Sequence, residues 1–245
     1  GSIVIEMGNA WKSGSPTYST TPLEALLDFK KEANLHLCQE FICHNPSRLP
    51  SPASWVTVKR VRVKDSYTRL WWLSKNTNPK ADNRKILMNY SHSMLHKMKK
   101  NKIYTGKRPS GYKITSKFLK DNGGSISPNF IGDSEIDNLA ETSLSIANSN
   151  KETKYINFCR ANNLQPHPAR IQHGTIEYFV RFLTDEEDIV FDPFGGSNSL
   201  GMVSEKLKRN WISSELNIDY IKGSIIRFHN ETEATDHIKR MAEKG

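Results

Sequence analysis

Three features in the last third of the chain could together hold a nucleoside. Residues 188–192, Asp-Ile-Val-Phe-Asp, have the apolar run of a buried strand. The turn of residues 193–199, Pro-Phe-Gly-Gly-Ser-Asn-Ser, opens a helix, and Glu215 ends the next predicted strand, residues 211–214. A strand, a glycine turn and an acid about 20 residues later form a nucleoside-binding half of an α/β sheet, because the acid can accept hydrogen bonds from ribose hydroxyls.

The two adjacent glycines of this turn limit which nucleotide could bind. Gly195 and Gly196 lack Cβ, so the backbone can turn tightly and approach a ligand closely, and Ser197, Asn198 or Ser199 can cap the helix that follows. The dinucleotide fingerprint is Gly-x-Gly-x-x-Gly, which differs from this spacing. A nicotinamide oxidoreductase is therefore disfavoured. A plain strand-to-helix connection without a ligand is the other alternative for the turn taken alone.

Strands and helices alternate around this turn. Apolar spacing predicts strands at residues 2–7, 35–43 and 67–74, and helices at residues 22–34, 176–183 and 220–228. Residues 56–64 alternate valine with polar or basic side chains, which predicts a half-buried strand with a cationic outer face. That face could lie along a phosphate backbone or could be ordinary solvated surface.

The middle of the chain differs in composition from both ends. Residues 76–165 are rich in Asn, Lys, Ser and Gly, and we predict an inserted region in which residues 133–150 form loops. Basic residues that include Lys107 and Arg108 alternate there with aromatic residues, a mixture suited to nucleic acid but also to a solvated surface. The predicted organisation is a first sheet region at 1–75, the insertion at 76–165 and a nucleoside-binding half at 166–245.

Composition narrows the class of partner. Lysine and arginine total 35 against 26 acidic residues, which gives a net charge of +9 and favours a polyanion such as nucleic acid. Three cysteines without a Cys-x-x-Cys pair argue against a disulfide framework and a zinc site, so no metal is expected. With no apolar run of ~20 residues and no signal-peptide pattern, we expect a cytoplasmic protein in a reducing compartment.

The sequence of the glycine turn resembles a motif of a known enzyme family. Residues 192–197, Asp-Pro-Phe-Gly-Gly-Ser, are similar to the cofactor loop of the DNA amino-methyltransferases in their permuted, β-class order, and Glu215 matches the family's ribose-binding acid. Residues 166–170, Pro-His-Pro-Ala-Arg, resemble the segment that lines the methionine end of the cofactor. Residues 1–11 and 71–75 resemble two core strands of the same enzymes. The resemblance covers nearly the whole chain.

This resemblance implies a fold, a cofactor and a substrate. The fold would be α/β, a Rossmann-like S-adenosylmethionine-dependent methyltransferase sheet in permuted order, with the target-recognition region inserted at 76–165. The substrate would be double-stranded DNA of a restriction-modification system, methylated on N4 of cytosine. The alternatives are adenine-N6 methylation and a non-catalytic DNA- or cofactor-binding subunit.

The resemblance also assigns roles to individual residues. The implied S-adenosylmethionine-binding residues are His167, Pro168, Asp192, Pro193, Phe194, Gly195, Gly196, Ser197, Asn198 and Glu215. The charge pattern, independently of the resemblance, suggests Lys59, Arg60, Arg62, Lys64, Lys107 and Arg108 as the basic residues that contact DNA.

One departure from the family pattern concerns catalysis. The family grips the target amine with a Ser/Asn/Asp-Pro-Pro-aromatic loop, and this sequence has no Pro-Pro dipeptide. Residues 15–18, Ser-Pro-Thr-Tyr, follow the strand at 2–7, whereas the catalytic loop should precede it. We therefore expect no catalytic residue in this chain and a sheet incomplete at its central strand. The expectation is a fragment, or one half of an enzyme completed by a second polypeptide and inactive alone.

Overall fold

A computed structural model describes residues 1–101, 115–132, 139 and 148–243. The strands within these residues are β1 (Ser2–Met7), β2 (His36–His44), β3 (Tyr67–Ser74), β4 (Phe130–Ile131), β5 (Ile189–Asp192) and β6 (Asn210–Ser213). The α-helices are α1 (Thr21–Glu32), α2 (His92–Lys100), α3 (Asn148–Ala161), α4 (His173–Leu183), α5 (Ser199–Lys206), α6 (Ile218–Ser224) and α7 (Glu231–Glu243). None of the described helices is both long enough and apolar enough to cross a bilayer.

The first sheet has the strand order β1-β3-β2-β4. Strand β3 lies between β1 and β2 and is antiparallel to both, with Trp71 opposite Ile5 on one side and Glu40 on the other. Its residues from Leu70 to Ser74 are all buried, as expected for an apolar strand inside a sheet. The strands predicted at residues 2–7, 35–43 and 67–74 are therefore confirmed.

The second sheet consists of the parallel pair β5 and β6, with Asp192 opposite Ser213 at the carboxyl ends. Helix α5 packs against one face of this sheet. The other face exposes Ile189, Phe191 and Ile212, whose exposed fractions are 57–69%. No strand among the described residues joins the two sheets, so β1 and β5 are both edge strands in this part of the chain.

Helix α4 packs against the first sheet. Phe41 of β2 lies among its aromatic side chains, with ring centroids 5.0 Å from Phe179 and 6.4 Å from Phe182, and Phe182 also meets Trp72 of β3 at 5.2 Å. On its other side, α4 contributes Ile176 to a second cluster with α5. The helix predicted at residues 176–183 is confirmed, and it packs against both the first sheet and helix α5.

Helix α3 was not predicted. Residues 148–150, the end of the polar stretch 133–150 that we expected to form loops, are helical. Tyr155, Phe158 and Cys159 of α3 are buried against Ile226 and Ala234 near the C-terminus. A helix from the predicted insertion thus forms a core with the last third of the chain. The boundaries at residues 75 and 165 remain predictions.

The prediction of a strand at residues 56–64 is wrong. Ser54–Val58 forms a short π-helical turn, extended by a hydrogen bond from the Val61 amide to the Trp55 carbonyl (2.9 Å). Val58 and Val63 are 76% and 85% exposed. An alternating pattern buries one face only where a neighbouring strand and a core meet it, and no described strand pairs with this segment.

Candidate nucleoside site

The turn after β5 is held by its own side chains. Asp192 accepts a hydrogen bond from the Phe194 amide (3.0 Å), which forms a turn stabilised by a side chain. Asn198 accepts one from the Gly201 amide (3.1 Å) and so caps α5. The cap predicted among Ser197, Asn198 and Ser199 is therefore Asn198.

Each glycine of the turn allows a close approach. The Gly195 amide donates to the Ser214 carbonyl (2.8 Å), and a Cβ at Gly195 would collide with the Ser213 hydroxyl. Gly196 has a φ of +52°, and a Cβ there would lie 3.0 Å from the His167 ring. The two glycines thus let the turn pass between the end of β6 and the segment before α4.

Glu215 closes the turn from the other side. One carboxylate oxygen accepts from the Gly196 amide and the other from the Asn217 amide, both at 2.8 Å. These hydrogen bonds, first the one from Asn217, lower the pKa of Glu215 below its ordinary value. The side chain is only partly buried, and each oxygen retains a further lone pair. The structure therefore places an ionised acceptor beside the glycine turn.

A cavity of about 550 Å³ lies next to Gly196 and Glu215. This is the size of a typical small-molecule site. Trp211 forms part of its wall and stacks on Phe228 with ring centroids 5.0 Å apart. Residues that the sequence did not single out, and that also line it, include Glu205, Ile225, His229, His237 and Met241.

The structure places only some of the predicted site residues in contact with the glycine turn. The His167 ring packs against Gly196 and meets Tyr220 edge-on, with centroids 4.7 Å apart. Phe194 is 86% exposed beside the turn, where its ring is free to contact a ligand. Pro168 is exposed, and no hydrogen bond among the described residues joins it to the turn. Leu216, next to Glu215, is fully exposed.

The basic segment around residue 60 forms a separate surface. Arg60, Arg62 and Lys64 line a shallow cavity of about 560 Å³ together with Val63. The Arg62 side chain donates to the Pro16 carbonyl (2.8 Å), and Lys59 lies over the Trp55 ring at 4.3 Å. Hydrogen bonds to carbonyls hold side chains in place but leave their positive charge uncompensated. Lys107 and Arg108 lie outside the described residues.

The Ser-Pro-Thr-Tyr segment at residues 15–18 is anchored to the first sheet region. The Tyr18 hydroxyl donates to Asp65, which also accepts from the Trp11 indole (2.7 Å). Burial, followed by this hydrogen bond, raises the pKa of Tyr18 to about 12. The Tyr18 ring packs edge-on against Trp11 at 4.6 Å. These contacts give residues 15–18 a structural role.

Comparisons with known proteins show which family the sequence of this chain matches. The family described as DNA methylase, N6_N4_Mtase, matches residues 1–227. The chain is 40% identical over 230 residues to the type II methyltransferase M.PvuII of Proteus hauseri, covering 93% of this chain and 65% of that protein. It therefore spans slightly less than two thirds of that relative's length.

Two solved structures share the fold. The PvuII DNA methyltransferase, cytosine-N4-specific, superposes with a TM-score of 0.71 at 31% identity, and the match covers 98% of this chain and 69% of that one. A putative DNA modification methylase of Thermus thermophilus, in complex with S-adenosyl-L-methionine, gives a TM-score of 0.50 at 13% identity and covers 94% and 70%. The predicted α/β, Rossmann-like methyltransferase fold is confirmed.

Proposed function

This chain belongs to the DNA methylase family, and from that premise we propose that it binds S-adenosylmethionine for methylation of cytosine N4 in double-stranded DNA. The observation that carries the proposal is the meeting of the Gly195-Gly196 turn with the ionised Glu215 beside a ligand-sized cavity. The relative at 40% identity is a type II methyltransferase, so the setting we propose is a cytoplasmic restriction-modification system.

The side chains and backbone fit this cofactor. An S-adenosylmethionine ribose offers two hydroxyl donors, and Glu215 offers a charged acceptor with lone pairs to spare. The cavity of about 550 Å³ has room for an adenosine, and Gly196 is one of the residues that line it. Phe194, exposed beside the turn, supplies an aromatic surface against which the ligand can pack.

The chain's contribution to the reaction is positioning. When bound, S-adenosylmethionine supplies a methyl group attached to a positively charged sulfur. The target amine of the base would attack the methyl carbon in line with the carbon–sulfur bond, and the sulfur would leave. Glu215 would orient the ribose, and the turn from Asp192 to Asn198 would hold the remainder through backbone contacts. The methyl group leaves sulfur without prior protonation, and the amine would lose one proton to solvent after its nitrogen–carbon bond forms, so accurate placement would account for most of the rate gain.

The DNA would be bound through phosphate contacts. Lys59, Arg60, Arg62 and Lys64 concentrate positive charge on one exposed segment. Lys107 and Arg108 are proposed for the same role on the basis of sequence alone. Such contacts release condensed counterions and give affinity that falls steeply with salt.

We further propose that the loop that grips the target amine comes from a polypeptide segment outside these 245 residues. The unpaired edge of β5, with Ile189 and Phe191 exposed beside it, offers a place for another strand to pair and cover apolar surface. A strand inserted there would end beside the carboxyl ends of β5 and β6, where Asp192 and Glu215 lie.

Calorimetric titration with S-adenosylmethionine and, separately, with NAD tests the cofactor assignment. We expect binding of S-adenosylmethionine alone. Affinity for NAD with none for S-adenosylmethionine would instead favour the oxidoreductase alternative. Mass spectrometry of nucleosides from DNA treated with the chain plus the loop-bearing segment then identifies the product. N4-methylcytosine supports the proposal, N6-methyladenine supports the second target, and no methylation despite cofactor binding supports a non-catalytic subunit.

A further inference from the structure

Four ionisable side chains meet on the inner side of the glycine turn. One Glu152 oxygen lies 3.1 Å from His173 Nε2 and 3.0 Å from Arg227 Nη2, and the other pairs with Arg170. The side chains of Arg227 and His173 are only 2% and 7% exposed. A charge removed from water to the extent of the Arg227 guanidinium is stable only when paired, so Arg227 depends on the Glu152 carboxylate.

Arg227 extends from this cluster to the turn itself. Its Nε donates to the Ser197 carbonyl and its Nη2 donates to the Ser197 hydroxyl, at 2.5 Å and 3.0 Å. Ser197 directly follows Gly196 and is 4% exposed. The planar guanidinium therefore holds both the backbone and the side chain of one turn residue, which a lysine could not do in the same geometry.

The helix that carries Glu152 also supports the opposite side of the turn. The Tyr155 hydroxyl, one helical turn after Glu152 on α3, accepts from the His167 amide (3.0 Å). The His167 ring lies against Gly196. The Arg227 guanidinium is also 4.8 Å from the centre of the Tyr155 ring. Helix α3 thus reaches both sides of the turn through these two side chains.

We propose that Arg227, held in place by Glu152, is a positioning residue for cofactor binding. The inference rests on the proposed function. Arg227 would keep the Ser197 backbone fixed, so that the neighbouring Gly196 amide stays aligned with Glu215 before the ligand arrives. A turn that is already ordered loses less conformational freedom on binding, and the affinity rises accordingly.

The variant Arg227→Lys keeps a positive charge opposite Glu152 but loses the two-pronged contact to Ser197. We expect it to bind S-adenosylmethionine about tenfold more weakly than the parent chain in calorimetric titration, because the turn must then be ordered on binding. The matched control is Arg209→Lys. Arg209 donates to the Thr184 hydroxyl (2.9 Å) and carbonyl (3.0 Å) and makes no contact with the turn among the described residues. Its affinity should stay within about twofold of the parent.

Hydrogen exchange of the ligand-free protein provides a second readout. Amides of residues 195–201 should exchange faster in Arg227→Lys and at the parent rate in Arg209→Lys, which should instead loosen residues 184–189. Equal loosening of the turn in both variants, or a turn unchanged in Arg227→Lys, would overturn the inference. If the parent chain binds no S-adenosylmethionine, the proposed function fails, and the exchange comparison still decides whether Arg227 orders the turn.

Discussion

At the scale of the residue, Glu215 combines two tasks. Its carboxylate accepts hydrogen bonds from the Gly196 and Asn217 amides and remains partly open to solvent. The hydrogen bonds from the backbone keep the carboxylate ionised and fix its orientation. Its remaining lone pairs can accept hydrogen bonds from hydroxyl groups. An alanine at this position would remove the acceptor of both amides.

Glu215→Ala should weaken S-adenosylmethionine binding by ~1 to 3 kcal/mol, because the ribose hydroxyls lose a charged acceptor. Calorimetric titration measures the loss, and thermal unfolding should show that the fold persists. Glu186→Ala is the control, since Glu186 is an exposed acid paired only with Lys208 at 3.5 Å among the described residues. Unchanged affinity in Glu215→Ala would leave Glu215 as an ordinary acid at the end of a strand.

Glu152 should make stability depend on pH. Burial alone would raise its pKa, but the hydrogen bond from His173 and the charge of Arg227 outweigh burial and lower the pKa to about 2. A carboxylate with a lowered pKa stabilises the fold above its ordinary pKa and loses that contribution as pH falls toward the lowered value. The contribution should therefore be complete above pH 4.5 and be lost as the pH falls to about 2.

The variant Glu152→Gln tests this dependence. At neutral pH its free energy of unfolding, measured by urea denaturation, should be about 3 kcal/mol lower than that of the parent, because Arg227 is left buried without its charged partner. The difference in the free energy of unfolding between parent and variant should decrease as pH falls from 4.5 toward 2. A gap that stays constant over this interval would contradict the assigned role of the Glu152 charge.

At the scale of the element, helix α4 connects the two parts of the fold through aromatic packing. Phe41 is 2% exposed and meets Phe179 and Phe182 of this helix. Phe41→Ala should lower the free energy of unfolding by about 3 to 5 kcal/mol, since a buried ring is replaced by a cavity. Phe194→Ala, which truncates an 86% exposed ring, should cost less than about 0.5 kcal/mol. Urea unfolding of both variants checks the contrast.

The positive charge of residues 59–64 leads to a prediction about DNA binding. Reversing the charge of Lys59 and Arg60 should weaken binding to all DNA sequences and reduce the slope of affinity against salt by about one for each lost phosphate contact. Arg60 is suited to this test because it makes no hydrogen bond or ion pair with the described residues. Binding isotherms at several salt concentrations measure the slope, with Lys30→Glu on helix α1 as an exposed control. If the slope equals that of the parent, the segment is only a solvated surface.

At the scale of the whole molecule, the two sheets meet through helices and not through strand pairing within the described residues. Edge strands β1 and β5 keep unpaired backbone groups there, and β5 has exposed apolar neighbours. Exposed edges of this kind favour pairing with another strand. The glycine turn, by contrast, is supported from inside the described chain by Glu215, His167 and Arg227.

The 245 residues alone should therefore bind cofactor but transfer no methyl group to DNA. Binding depends on contacts inside the chain, whereas transfer also needs the amine held about 3 to 3.5 Å from the methyl carbon and in line with the breaking bond. Incubation with tritiated S-adenosylmethionine and DNA measures incorporation, and adding a segment that carries a Pro-Pro-aromatic loop should produce it. Robust incorporation without that segment would contradict the proposal and reopen residues 15–18 as a catalytic loop.

The sequence by itself determined the parts of this protein that depend on neighbours in the chain. The order of β5, glycine turn, α5 and β6 follows from apolar runs and turn residues within about 30 positions. The meeting of Gly196 with Glu215 follows as well, because parallel strands bring their carboxyl ends to one edge. The family resemblance then identified the fold class, which the comparisons bear out.

Only the tertiary structure decided the features that depend on distant partners. The alternating valines of residues 56–64 indicated a strand, but alternation is buried only where another strand meets it, and none of the described strands does. Glu152 and Arg227 are 75 positions apart, and neither has a local pattern that distinguishes it from a surface charge. Their pairing arises because the buried face of helix α3 packs against Ile226, which brings two charges together where water cannot separate them.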